Sequence, residues 1–381
     1  MNAYKIFRSV RQILFGVALV SMVGCSAGGE TSSQEITTSS GFVCNEPSPR
    51  LEVESTSINI YTWAEYIPAD VIECFGLVYG IDVNTDFFSS NEELYSKVAI
   101  GEGINPYDVI HPSDYMIGVL MREGLLQQLD KSKLPNLVNL NQDLVSAYGD
   151  ALDYLVPYQM GTQAIVYNSE TVANPPTSWE DLWNPEYVDR IVSIDDNRVV
   201  IGATLLTLGY DVNTTDKAEL QEAKQKLLEL MPNIRVFDSD SPKTALISGE
   251  VDLGIVWNGE AFLVQQENPA FVYVYPEEGS IIFYDGMGIS PTAPHPDAAY
   301  AWLNYLLQGN NNWLTLVDYP YTNPNDAALA YAKDHAPDVY EAYINSNVTN
   351  TPAEEFLKGH EVIDLGADLL LYDEIWTEVK E

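Results

Sequence analysis

The sequence predicts an α/β protein of two lobes, two mixed sheets flanked by helices and joined by hinge crossings. Three observations predict it. Strand-like and helix-like runs alternate along the chain, the second half carries strands enough for a sheet of its own, and 381 residues exceed what one compact core normally holds. Hydrophobic residues make up 46% and charged residues 19%, which suits packed cores and argues against disorder.

Lys5, Arg8 and Arg11 precede an apolar stretch over 13–23 that is too short to span a bilayer, the pattern of an export signal. Met22-Val23-Gly24-Cys25 resembles a bacterial lipobox, with Met22 in place of the more usual leucine. Residues 1–24 are therefore expected to be a lipoprotein signal peptide and Cys25 the lipidated N-terminus, placing the protein in the periplasm or at the cell surface with membrane contact only through that lipid. Residues 25–57 are rich in Ser, Thr, Glu, Gly and Pro and read as a flexible tether. Cys44 and Cys74 remain as one pair in an oxidising compartment. A bridge between them would pin the tether to the first helix, but spacing alone does not fix the Cα separation it needs.

Residues 58–63 alternate in a β-prone pattern and open the fold as a strand. A helix follows over 68–75 with Pro68 in its first turn, then a strand over 81–87, a helix over 92–101 and a short buried strand over 107–110. The strand pattern returns at 164–167, 191–194 and 253–257. Strands separated by helices favour sheets covered on both faces, with ligands at the carboxyl ends of the strands.

The 18 basic and 56 acidic residues give a net charge of −38, and removal of 1–24 takes three basic residues and no acidic one, giving −41. Nucleic acid is excluded as a partner, because a polyanion needs a basic footprint to displace its counterions. His111, His295, His335 and His360 are scattered, with neither HExxH nor CxxC, so no metal site is predicted. A Gly-rich phosphate loop and a G-x-S-x-G elbow are also missing, so no cofactor is expected and the chain does not read as an enzyme. Carboxylates among aromatic residues leave glycoside hydrolysis as the enzymatic alternative.

Six motifs follow one another in a particular order and spacing: Tyr61-Thr62-Trp63-Ala64-Glu65-Tyr66, His111-Pro112-Ser113-Asp114-Tyr115, Thr177-Ser178-Trp179-Glu180-Asp181-Leu182-Trp183 with Pro185-Glu186-Tyr187, Asp195-Asp196-Asn197-Arg198, Val256-Trp257-Asn258-Gly259, and Pro276-Glu277-Glu278-Gly279. From about residue 58 to 381 the chain resembles the spermidine/putrescine-binding proteins of bacterial polyamine ABC importers. The resemblance implies a periplasmic-binding-protein-like fold, with 58–161 plus 286–325 as one lobe, 162–285 plus 326–381 as the other, and hinges near 158–162 and 283–287. It further implies a monomer that captures a polyamine between the lobes and delivers it to the membrane permease of an ABC transporter.

Carried over position by position, the resemblance places Trp63, Tyr66, Trp257, Phe283 and Tyr321 on aromatic walls, Glu65, Asp196 and Asp285 on carboxylate positions, and Ser113, Tyr115 and Ser239 on polar ones. The chemistry agrees, since ammonium groups joined by methylenes call for carboxylates at intervals with aromatic faces between them. Another cationic or zwitterionic metabolite on the same fold is the alternative ligand. Two positions depart from the family pattern: Val199 stands where a glutamate follows the key aspartate by three residues, and Val362 where a glutamine is common. Asp114 adds a carboxylate where the family has an uncharged residue, so a ligand as short as a diamine is expected.

Overall fold

Strand β1 (Ser57–Trp63) buries Ile58, Ile60 and Tyr61 and lies between two parallel neighbours, β2 (Asp82–Phe88) and β3 (Val109–Ile110). The structure, a computed structural model, describes residues 35–99 and 105–381; the expected signal peptide and Cys25 lie outside the described residues. In the second half β5 (Ile191–Ser193) runs parallel to both β6 (Ile234–Phe237) and β7 (Leu253–Trp257). These two parallel sets are joined by a pair of long antiparallel strands, β4 (Leu155–Asn168) and β9 (Ile281–Ile289). The order across the whole ladder is β2-β1-β3-β9-β4-β7-β5-β6. The short strands β8 (Phe271–Val274) and β10 (His360–Glu361) pair with β4 and β9 respectively.

Both crossings are continuous strands. β9 pairs with β3 at Gly288 and Ile289, whereas β4 pairs with β7 from Gln163 onward, so each strand begins in one lobe and ends in the other. Their mutual register slips between Pro157 and Gln159, where proline has no N–H to donate to the ladder. The segments 158–162 and 283–287 lie on these two strands.

The packing departs from the expected chain division in two places. The helices Asp326–His335 and Pro337–Ile344, expected with the second lobe, bury Ala328, Ala332, Val339 and Tyr343 in the cluster that holds Phe75, Trp302 and Tyr305 of the first. Ala328 and Ala332 are four residues apart, which puts both on one helix face, and their small side chains allow close approach. The last helix, Leu369–Lys380, buries Tyr372 and Ile375 with Val192, Leu205 and Leu253. No helix of the described residues is long and apolar enough to cross a membrane.

The second departure concerns the tether. From residue 35 on it is a strap bound to the first lobe. Cys44 is disulfide-bonded to Cys74 with Cα atoms 5.2 Å apart, Asn45 Nδ2 donates to Asn310 O at 2.7 Å, Ser48 N donates to Gln308 Oε1 at 2.7 Å, and the N–H groups of Glu54 and Ser55 donate to Asp297 at 2.7 and 3.0 Å. Composition suggested solvation, but these polar groups find partners far away in sequence, which composition cannot reveal. The bridge spans a sequence separation of 30, so the serine double variant Cys44→Ser/Cys74→Ser should lose about 3 kcal/mol of stability to denaturant. Ligand affinity should stay unchanged, because neither cysteine lines the cleft described below. Equal denaturation midpoints for the variant and the parent would contradict this.

Candidate functional site

A cleft opens where β4 and β9 pass between the lobes. Its walls come from the carboxyl ends of parallel strands in both lobes, the place an open α/β sheet leaves free for a ligand. Trp63 ends β1 and is followed by Glu65 and Tyr66; Ser113 and Asp114 follow β3; Asp196 follows β5; Ser239 and Asp240 follow β6; and Trp257 ends β7. Phe283 and Asp285 project from β9, and Tyr321 closes the apolar side.

Ten of the eleven residues expected at the site line this cleft; Tyr115 does not. Tyr115 is buried one residue into the helix Asp114–Arg122, and consecutive helical residues point about 100° apart, so Asp114 faces the cleft while Tyr115 turns away from it. Its hydroxyl donates to Glu92, and its ring lies 5.2 Å from the Arg198 guanidinium. Val199 and Val362 are also absent from the lining and are buried in the second-lobe core, so their apolar character suits packing. The lining further includes Asn91 and Gln163, which the sequence did not single out, and Asp240. Asn91 begins a helix after the carboxyl end of β2, a place the strand-end rule could have flagged; Gln163, in the middle of β4, had no local signal.

Close packing fixes the aromatic walls. The Tyr66 and Tyr321 rings meet edge to face at 5.4 Å, Phe283 and Tyr321 at 5.7 Å, and Trp63 packs on Phe88 at 4.5 Å. Two glycines make room for them. A Cβ on Gly259 would lie 2.7 Å from the Tyr321 ring, and one on Gly161 would lie 2.8 Å from Phe283. The backbone is also unusual here. Among the described residues three non-glycine residues have positive φ, and two of them, Glu65 at 47° and Asp114 at 40°, line the cleft. Such conformations cost roughly 1–3 kcal/mol each and persist where the surroundings hold them, often at binding sites.

The electrostatics are dominated by carboxylates. Asp285 is buried; the Tyr66 hydroxyl donates to its Oδ2, while its Oδ1 has no hydrogen-bond partner among the described residues. Burial pushes its carboxyl up to about 7, with the nearby Ser113 and Tyr66 hydroxyls pulling the other way. Asp114 Oδ1 accepts from Tyr284 N at 2.6 Å, and desolvation, together with the charge of Asp285, raises its carboxyl well above the ordinary range. Asp196 caps the helix Asn197–Thr207 by accepting from Arg198 N and Val199 N at 2.9 and 3.1 Å, and desolvation and the charge of Glu92 still push it up to about 6. Its neighbour Asp195 is a different case, since Lys380 Nζ lies 2.7 Å from its Oδ1 and Trp376 Nε1 donates to it. Trp63 Nε1 and Gln163 Oε1 are two more buried polar atoms of the lining without partners among the described residues. Such a cleft is suited to a cation with apolar links, which it would bind by charge, hydrogen bonding and contact with aromatic faces.

The chain is similar to known proteins over most of its length. The pattern of the bacterial extracellular solute-binding proteins matches residues 78–345. The spermidine/putrescine-binding periplasmic protein of Escherichia coli (strain K12) is 35% identical over 329 residues, covering 86% of this chain and 92% of its own. A solved structure, a spermidine/putrescine ABC transporter from Listeria monocytogenes, has a TM-score of 0.79 at 32% identity and covers 86% of this chain and 99% of its own. The substrate-binding protein PotD from Streptococcus pneumoniae has a TM-score of 0.68 at 32% identity, with the same coverage.

Proposed function

This chain belongs to the bacterial extracellular solute-binding proteins, in the branch of the spermidine/putrescine-binding periplasmic proteins, and from that premise we propose that it captures a polyamine between its lobes and delivers it to the permease of an ABC importer. The observation that carries the reading is the trio Asp114, Asp196 and Asp285, all held above the ordinary carboxyl range and set among Trp63, Tyr66, Trp257, Phe283 and Tyr321. Ionised carboxylates in such a place need a cation, and ammonium groups on a methylene chain match both the charges and the aromatic faces. Ser113 and Ser239 add hydroxyls for the remaining N–H donors. The protein acts as a monomer and binds without chemistry; closure of the lobes over the ligand, about hinges on β4 and β9, shapes the surface that the permease reads.

Residues 1–24 are removed on export and Cys25 carries the lipid.

Thermal melts of the protein without its lipid, with putrescine, spermidine, spermine, amino acids and neutral sugars at matched ionic strength, test the function. A polyamine should raise the melting temperature saturably, by the equivalent of about 2.7 kcal/mol at a hundred times its Kd. Stabilisation by an amino acid or a sugar alone would overturn the assignment.

A further inference from the structure

Lys243 opens the short helix Lys243–Ile247 on the second lobe, and its side chain meets Glu65, a lining residue of the cleft. Its Nζ lies 2.8 Å from Glu65 Oε2 on the first lobe, 3.0 and 3.1 Å from the two carboxylate oxygens of Glu260, and 3.0 Å from Ser241 Oγ. Glu260 has a side chain only 4% exposed, so its charge is held away from water. Glu65 lines the cleft with its backbone at positive φ and its side chain half exposed. An alkylammonium has three N–H donors, and two carboxylates with a hydroxyl are the set that would satisfy them. The lysine therefore sits in a subsite of the kind that the end of a ligand amine would need.

We propose that Lys243 is a specificity-determining residue, a built-in cation that fills the carboxylate pair Glu65 and Glu260 and leaves the inner carboxylates Asp114, Asp196 and Asp285 for the ligand. This rests on the reading of the cleft as a polyamine site. A diamine can place its ammonium groups among the inner carboxylates without meeting Lys243. A triamine long enough to reach Glu65 brings a further ammonium against the lysine, which repels it and already holds the oxygens it would use. The same contact joins the lobes, so a longer ligand must also part Glu65 from Lys243. The charges of Glu260 and Glu65 keep the Lys243 ammonium protonated despite its desolvation, so the block does not lift over the physiological pH range.

The test is calorimetry of putrescine and spermidine with the whole soluble protein and with Lys243→Gln. The parent should bind putrescine more tightly than spermidine, and the variant should shift the ratio of the two Kd values toward spermidine by about tenfold or more. Because Lys243→Gln leaves Glu260 buried without its cation, Lys243→Met/Glu260→Gln is measured beside it; this pair removes both charges and should shift the ratio in the same direction. A parent that prefers spermidine, or a ratio that does not move in a variant whose melt shows it folded, overturns the role of Lys243 while leaving the polyamine assignment intact. A parent that binds no polyamine at all overturns the reading of the cleft, and this inference with it.

Discussion

Asp285→Asn is expected to weaken polyamine binding about a hundredfold or more while leaving the free protein at least as stable as the parent near pH 7. The two halves of this result have one cause. Asp285 is buried on β9, and its Oδ1 has no hydrogen-bond partner among the described residues. In the free protein an ionised carboxylate is an electrostatic burden there, which is why its carboxyl rises to about 7. Asparagine keeps the shape and an oxygen for the Tyr66 hydroxyl, but it has no charge to desolvate. With a bound ammonium the balance reverses. Removing one partner of a buried ion pair costs about 3–5 kcal/mol, which corresponds to a factor of more than a hundred in Kd. The amide group can also turn its N–H donors toward the ammonium, adding repulsion. Calorimetry gives the affinity and a denaturant melt the stability. A Kd within threefold of the parent would remove Asp285 from the site, and a loss of stability matching the loss of affinity would make its role structural.

Much of the cleft was legible because its residues come in short local patterns. Tyr61 to Tyr66 reads as a strand running into an aromatic and acidic loop, and the structure puts Trp63, Glu65 and Tyr66 on one wall. Thr177 to Tyr187 was an equally good landmark but serves packing: Trp179 is fully buried, and its indole N–H donates to Gly279 O, tying that motif to the one at 276–279. What stayed illegible depends on distant partners. The strap over 35–57 reads as solvated until Asp297, Gln308 and Asn310 are seen to hold it. The helices at 326–344 could have packed on either lobe, since an amphipathic pattern shows which face is buried but not what covers it. Tyr115 was misplaced because one step along a helix rotates a side chain away from its neighbour. Lys243 and Glu260 are 17 residues apart, on different elements, and Glu65 is 178 residues from the lysine, so no local pattern could announce that they meet.

Affinity for putrescine should fall as the pH drops from about 7.5 to 5.5, by 10-fold or more, and the free protein should gain in relative stability over the same interval. Carboxyls raised in the folded state favour the protonated form there more than in the unfolded chain. Their stabilising contribution is therefore fully present below the unfolded value near 3.8 and is lost as the pH rises through about 6 for Asp196 and about 7 for Asp285. For buried Asp285 the loss is roughly 4 kcal/mol when complete. A cation reverses the preference, because it binds the carboxylate form and must expel any proton it meets. Each carboxyl that is protonated in the free cleft and ionised in the complex costs about tenfold in Kd per pH unit below its free value. Asp114 adds to the effect, since it too lies above the ordinary range, raised by desolvation and the charge of Asp285. Proton release on binding, read by calorimetry in buffers of different ionisation enthalpy, should rise as the pH falls through about 7 and rise again as it falls through about 6. Asp285→Asn should remove the part of the pH dependence centred near 7 and keep the part near 6. If the thermal stabilisation by putrescine stays constant from pH 5.5 to 8, the carboxyls are already ionised in the free cleft, and expulsion of their protons is no part of binding.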